Sequence, residues 1–304
     1  MQMEKVNSIK AWLLAARPKT LTGAVIPVML GTSLAVAEGT WQWTAPLLCA
    51  LFACGMQVAA NFVNDYYDFV KGADREDRLG PERACAQGWI TPAAMKKGIG
   101  VSVVLSCLAG LVLFAMQRSR LPFGGWELVA VGLLCVLFCF LYTTRLSYMG
   151  WGDVLVLVFF GWVPVCGTYY VQAHALTASA VVVGTICGLV TDALLVINNY
   201  RDREQDALHG KRTVVVRFGE PFGRYLFLGV GMAAAALSLY LIYNGTISWR
   251  GFMFSSLIYL YLHVRTWVRM AEIRRGRELN LILGENSRNM LVYGVLLSLA
   301  IIVG

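Results

Sequence analysis

Charge is what this sequence has least of. Asp, Glu, Lys and Arg make up 14% of its 304 residues, against 58% for hydrophobic ones. A soluble domain carries about 25% charge, so a water-soluble globular protein is excluded. Histidine is scarce, with three in the chain, and the eight cysteines form no CxxC. That leaves no zinc site and no disulfide framework to read. All cysteines except Cys85 fall in apolar runs, as small buried apolar residues do. The first 19 residues are too polar and basic to look like a cleavable signal peptide.

Long apolar runs are what the chain has instead. They lie at about 20–37, 43–63, 98–116, 126–143, 152–171, 176–197, 222–243, 250–268 and 289–303. Each approaches the roughly 20 residues that cross a bilayer, and only helices satisfy an open chain's backbone in lipid. The expectation is an all-α polytopic membrane protein of about nine transmembrane helices, built as one membrane-embedded domain over 1–304. All Lys and Arg except Arg118, Arg120 and Arg250 fall on one side of these spans. The positive-inside rule then predicts a multi-pass protein of the inner (plasma) membrane, with its N-terminus cytoplasmic and its C-terminus outside. The net charge of +8 is topology, and no nucleic acid or obligatory protein partner is expected.

Two stretches break the pattern. "NFVNDYYDFVKGADRED" (61–77) follows the second run, and "NNYRDREQDALHGKRTVVVR" (198–217) follows the sixth. Both fall on the side expected to be cytoplasmic. Catalytic loops are therefore expected at about 64–97 and 198–220. Within them Asn64 and Asp68 are spaced i, i+4, and Asn198, Asp202 and Asp206 i, i+4, i+8. On a helix such residues share a face. Gln57, Asn61, Asn64, Asp65 and Asp68 make one polar stripe; Asn198, Asp202 and Asp206 make another. Facing stripes of carboxylate and amide oxygens repel unless a cation lies between them, and an all-oxygen set suits Mg²⁺. Lys71, Arg75, Arg83, Arg145, Arg201, Lys211 and Arg212 fall on the same expected side, and guanidinium forks match phosphate oxygens. Carboxylates, metal and a basic rim together describe a site for a lipid diphosphate.

At these residues the chain resembles the UbiA superfamily of intramembrane prenyltransferases. "NDYYDFVKGAD" (64–74) and "NNYRDREQD" (198–206) look like its two Asp-rich motifs, and the likeness runs over about 11–303. "AARPKTLTGAVIPVMLG" (15–31), "RLGPERACAQGWIT" (78–91), "FLYTTRLSYMGWGDVLVLVFFG" (140–161), "GTYYVQ" (167–172) and "INNYRDREQDALHGKRTVVVRFG" (197–219) resemble the MenA branch, which prenylates 1,4-dihydroxy-2-naphthoate. Asp153 stands where that branch would carry Glu, and it keeps the charge. The resemblance implies helices around a central cavity open to lipid. It implies Asn64, Asp68, Asn198 and Asp202 as Mg²⁺ or metal-water ligands, supported by Asp65, Asp74 and Asp206 in a second shell or a loop cap. Lys71, Arg145 and Lys211 would contact the diphosphate, with Arg83 and Arg201 on the same basic rim.

The implied reaction takes a polyprenyl diphosphate and an aromatic acid. The allylic bond breaks, the naphthoate ring attacks the prenyl cation, and the ring carboxylate leaves as CO₂, giving demethylmenaquinone. Aromatic faces can stabilise the cation; Tyr66, Tyr67, Tyr142, Trp151, Phe159, Phe160, Tyr169 and Tyr170 are the candidates. Arg17 and Lys19 either receive the acceptor carboxylate or anchor the first helix at the interface. Asp192, inside the sixth span, either orients the acceptor or pairs with a neighbouring helix. Three other readings remain open: transfer to another acceptor such as 4-hydroxybenzoate or homogentisate, a divalent-cation transporter, or a scaffold that binds lipid diphosphate without chemistry.

Overall fold

The computed structural model describes residues 5–72 and 78–304. Among them the regular structure is entirely helical. Nine rods follow one another: α1 (Ile9–Ala37), α2 (Thr44–Val70), α3 (Pro92–Gln117), α4 (Trp126–Met149), α5 (Gly152–Ala173), α6 (Ala178–Leu208), α7 (Glu220–Tyr243), α8 (249–273) and α9 (Leu279–Val303). All but α8 are long and apolar enough to cross a membrane. α8 carries Arg265 and Arg269 yet packs between α7 and α9 as part of the same bundle.

Local chemistry sets the helix starts. Thr91 accepts from the Ala94 amide and is followed by Pro92, so α3 begins six residues before the apolar run at 98. Thr177 caps α6 in the same way. Inside α1, Arg17 takes a left-handed conformation with φ 52° between Ile9–Ala16 and a short 3₁₀ turn at Pro18–Leu21. α4, α5 and α8 each contain one π turn, at Tyr142–Leu146, Leu157–Trp162 and Met253–Leu257.

α6 is the hub. It packs on α5, α7 and α9, and 67% of its most apolar window is buried, against 6% for α4. In lipid no hydrophobic force draws helices together, so close backbone approach has to supply the packing. A Cβ on Gly161 of α5 would stand 2.9 Å from the Gly188 Cα of α6. Gly31 brings α1 equally near α5 at Thr168. These contacts fix α6, and with it the second polar stretch, at the centre of the bundle.

One expectation needs correcting. The segments at 64–97 and 198–220 are helical where they begin, in α2 up to Val70 and in α6 up to Leu208, and the described residues that follow, before Pro92 and Val214, are irregular. Their polar residues sit at helical spacing and find partners there, so nothing ends the helices sooner.

Candidate active site

Asn64 and Asp68 occupy the last two turns of α2. Asn64 Oδ1 accepts from Thr143 Oγ1 at 2.6 Å, in the π turn of α4. Asp68 Oδ2 accepts from Arg83 Nη2 at 2.9 Å, with both side chains largely buried. Asp68 also lies within electrostatic reach of Arg78, Lys211, Arg17 and Lys71. Lys211 belongs to the second stretch, so the two polar stretches face one another across the site.

On α6, Asn198 donates to the Leu194 carbonyl at 3.0 Å, which leaves its Oδ1 without a hydrogen bond among the described residues. Asp202 accepts from Arg201 through two bonds, 2.7 Å from Nε and 2.6 Å from Nη2. Asp206 Oδ1 accepts from Lys211 Nζ at 3.3 Å, and its buried Oδ2 has no partner. Lys71 Nζ donates to the Thr144 carbonyl and sits 4.4 Å above the Tyr148 ring. Tyr142 lies within electrostatic reach of Asp153, Asp192, Asp206 and Asp68.

The α2 stripe divides. Gln57 and Asn61 donate to Thr20 Oγ1, and Asn61 also to the Ala16 carbonyl, so both serve the break in α1. Asp65 is 1% exposed, and its two oxygens accept the Ala84 and Cys85 amides at 2.9 and 2.8 Å. It is a loop cap. Both of its oxygens are taken by those amides, the loop-cap role that the resemblance implied.

Among the remaining expected residues, Arg145 is exposed on the π turn, and Lys19 is exposed with no side-chain contact to the site among the described residues. Asp74 and Arg75 lie outside the described residues. Tyr169 and Tyr170 are not at the site: they donate to Glu38 at 2.5 Å and to Glu127 at 2.8 Å, at the opposite ends of α1 and α4. Asp192 is 5% exposed, with Oδ1 unpartnered. It lies within electrostatic reach of Asp153, and among the described residues it forms no hydrogen bond with a Thr or Tyr.

The sequence reading missed the clamp that holds the 78–90 segment. Asn280, at the start of α9, accepts from Arg201 Nη1 at 2.7 Å and donates to the Leu79 carbonyl at 2.8 Å. A Cβ on Gly80 would stand 3.0 Å from Arg201 Nη2, so only glycine fits there without displacing that side chain. The one signal in the sequence was a lone Asn among the leucines that open α9.

The oxygen donors of Asn64, Asp68, Asn198 and Asp202, with the orphaned Asp206 Oδ2, fit a hard divalent cation in kind. Among the described residues no three acids converge as a ready-made metal cage, because Arg83 and Arg201 hold Asp68 and Asp202. The arrangement can bind a polyanion between two carboxylate-bearing helix ends inside a cationic ring.

Known proteins resemble this chain over most of its length. The UbiA prenyltransferase family matches residues 24–282. The chain is 38% identical to the 1,4-dihydroxy-2-naphthoate octaprenyltransferase of Escherichia coli strain K12, over 80% of this chain and 81% of that one. It is 34% identical to the enzyme of the same name from Haemophilus influenzae, over 98% and 97%. A solved UbiA homologue from Archaeoglobus fulgidus bound to GPP and Mg²⁺ shares the fold, with a TM-score of 0.66 at 14% identity, covering 95% of this chain and 99% of that one. Nine helical rods, paired Asn–Asp turns and this match over most of the sequence lead to one conclusion: the chain belongs to the UbiA prenyltransferase family.

Proposed function

We propose that this membrane protein transfers a polyprenyl group from polyprenyl diphosphate to 1,4-dihydroxy-2-naphthoate, with loss of CO₂, giving demethylmenaquinol, the reduced form of demethylmenaquinone. The observation that carries the diphosphate half is that Asp68 and Lys211, from the two polar stretches, come within electrostatic reach inside one ring of cations. The acceptor is taken from the relatives' names.

Asn64, Asp68, Asn198 and Asp202 would hold Mg²⁺, the divalent ion that best suits all-oxygen donors beside phosphate. Bound there, the ion would supply the charge neutralisation that makes diphosphate a good leaving group. Arg83 and Arg201 keep the two aspartates in place and bring positive charge beside them. Lys71, Lys211 and Arg145 add positive charge on the α4 side. Asp206 steers Lys211. Asp65 holds the segment that delivers Arg83. Arg17, within reach of Asp68, belongs with this diphosphate ring rather than with a separate acceptor site. The Tyr142 ring stands nearby to face an allylic cation.

We assign the site and N-terminus to the cytoplasmic side of the inner membrane, the C-terminus to the outside, and residues 1–304 to one domain, following the Lys and Arg distribution. The test is product mass from purified protein in liposomes. With polyprenyl diphosphate, Mg²⁺ and 1,4-dihydroxy-2-naphthoate, the expected product is demethylmenaquinol with CO₂ release, lost on chelation. Product from 4-hydroxybenzoate alone would move the assignment to another branch of the family.

A further inference from the structure

Arg212, expected on the basic rim, and Arg217 stand apart from the diphosphate ring. The cations that act most strongly on Asp68 are Arg78, Lys211, Arg17 and Lys71, and those on Asp206 are Lys211 and Arg201. Arg212 and Arg217 are exposed instead on a groove of about 710 Å³, within the roughly 300–1,000 Å³ of small-molecule sites. Met149, Gly150, Trp151 and Val154, at the junction of α4 and α5, form one wall; Arg212 and Arg217, between α6 and α7, form the other. The walls are tied together. The Arg212 amide donates to the Tyr148 carbonyl at 2.9 Å, and Arg217 Nη2 donates to the Met149 carbonyl at 2.8 Å. Gly150 has φ 83°, and a Cβ there would stand 2.5 Å from the Arg212 carbonyl oxygen. The spacing of the walls therefore rests on backbone.

The groove is cationic, and none of the residues lining it is Asp or Glu. Arg212 has no side-chain hydrogen bond or ion pair among the described residues, and Arg217 gives one N–H to Met149. The surroundings are apolar: Trp151, Val154 and Phe218 are each half or more exposed, with Met149 exposed beside them. On a chain that spans a bilayer, exposed apolar side chains mark the surface that meets lipid, and Trp collects at the level of the headgroups. Trp151 stands immediately before α5, and Val154 is its third residue. The groove therefore has its guanidinium groups where α5 enters the membrane and its apolar wall running inward from them.

Two guanidinium groups without an acid call for an anion, and their planar forks match phosphate oxygens. A soluble phosphate would be held by the arginines alone and would leave Trp151 and Val154 uncovered. A phospholipid satisfies both walls, with its phosphate on the arginines and its chain on the apolar side. Basic pockets between membrane helices on the cytoplasmic side bind anionic headgroups in this way. We propose that this groove binds an anionic phospholipid of the bilayer, its phosphate between Arg212 and Arg217 and its acyl chain along Trp151 and Val154. Lys211 precedes Arg212 in the chain and reaches Asp206, so a lipid held here steadies the segment that carries Lys211 to the diphosphate site. The proposal needs only the membrane embedding, and stands or falls apart from the acceptor.

The experiment is quenching of tryptophan fluorescence in the full-length protein, in phosphatidylcholine vesicles, by lipids brominated in their acyl chains. The Trp151 signal is the part of the emission that Trp151→Phe removes. Brominated phosphatidylglycerol is compared with brominated phosphatidylcholine at equal mole fraction. At Trp151 the wild type should prefer phosphatidylglycerol at least roughly fivefold, the effect of one basic residue at a membrane surface. Arg212→Gln should lower that preference roughly fivefold. It changes an exposed side chain and keeps the backbone bond to Tyr148, so it should fold normally. Equal quenching by the two lipids in the wild type overturns the proposal without reference to any variant, and so does a preference that Arg212→Gln retains. Inorganic phosphate should leave the preference in place; if it abolishes the preference, the groove takes a soluble phosphate and the lipid assignment fails. Displacement of phosphatidylglycerol from Trp151 by polyprenyl diphosphate would make the groove part of the substrate site, and would overturn the proposal too.

Discussion

The two Asn–Asp turns carry the same residues but are built differently. On α6 everything is local: Asp202 is held by its own neighbour Arg201, and Asp206 by Lys211 five residues on. On α2 the partner of Asp68 is Arg83, fifteen residues away across a segment that Asp65 must fold into place. The α6 half is rigid because its helix is the hub of the bundle. The α2 half depends on a loop, and Asn280 clamps that loop to Arg201 of the other half. One anion site is thus made from one preorganised half and one assembled half, which the Asn280 amide ties together.

Breaking the chemistry of either half should have the largest effect. Asp68→Ala and Asp202→Ala should each lower kcat by on the order of 10²-fold or more, as loss of a charge-positioning group does, in a radiolabelled prenyl-transfer assay. Full activity in either variant would sink the idea that the halves act together. Next comes the asymmetry of assembly. Asp65→Ala strands two buried amides at about 1–3 kcal/mol each. It should lower Tm and expose 78–90 to protease, whereas Asp206→Ala should leave that segment protected; equal protection in both would remove the distinction between the halves.

The joint itself should show a smaller effect. Asn280→Ala removes two hydrogen bonds worth about 1 kcal/mol each, and should raise the diphosphate KM more than it lowers kcat. An unchanged KM would mean the clamp has no part in binding. Least affected should be Tyr169→Phe at the far end of the bundle. It gives up one hydroxyl to the exposed Glu38, worth about 1 kcal/mol, with kcat and both KM values unchanged.

The bundle was legible because apolar runs of bilayer length leave few alternatives. The helix ends were not, since hydropathy falls where a polar stripe begins, while the helices of Asn64–Asp68 and Asn198–Asp206 continue through it. The i, i+4 spacing was enough to find those residues. It could not separate Asp65, one position from Asn64 on a broad stripe, because what Asp65 meets comes from a loop. Arg83 could be named as a cation but not matched to Asp68, because loop closure carries no periodic signal. Asn280 was hidden for a similar reason: a lone Asn near a helix start reads as a cap. Tyr169 and Tyr170 were misplaced although the register held the answer. They stand sixteen and seventeen residues along α5 from Asp153, about 24 Å at 1.5 Å per residue, and therefore at the other face of the bilayer.

The central claim is that both halves grip one diphosphate. It is tested most directly by measuring the binding of a non-hydrolysable prenyl diphosphate analogue, with and without Mg²⁺, to wild type, Asp68→Ala, Asp202→Ala and the double variant. Residues acting on one ligand are non-additive in such a cycle. The account predicts that each single variant loses the Mg²⁺-dependent part of the affinity and that the double variant loses no more. Strictly additive losses, or full Mg²⁺-dependent binding in either single variant, would contradict it.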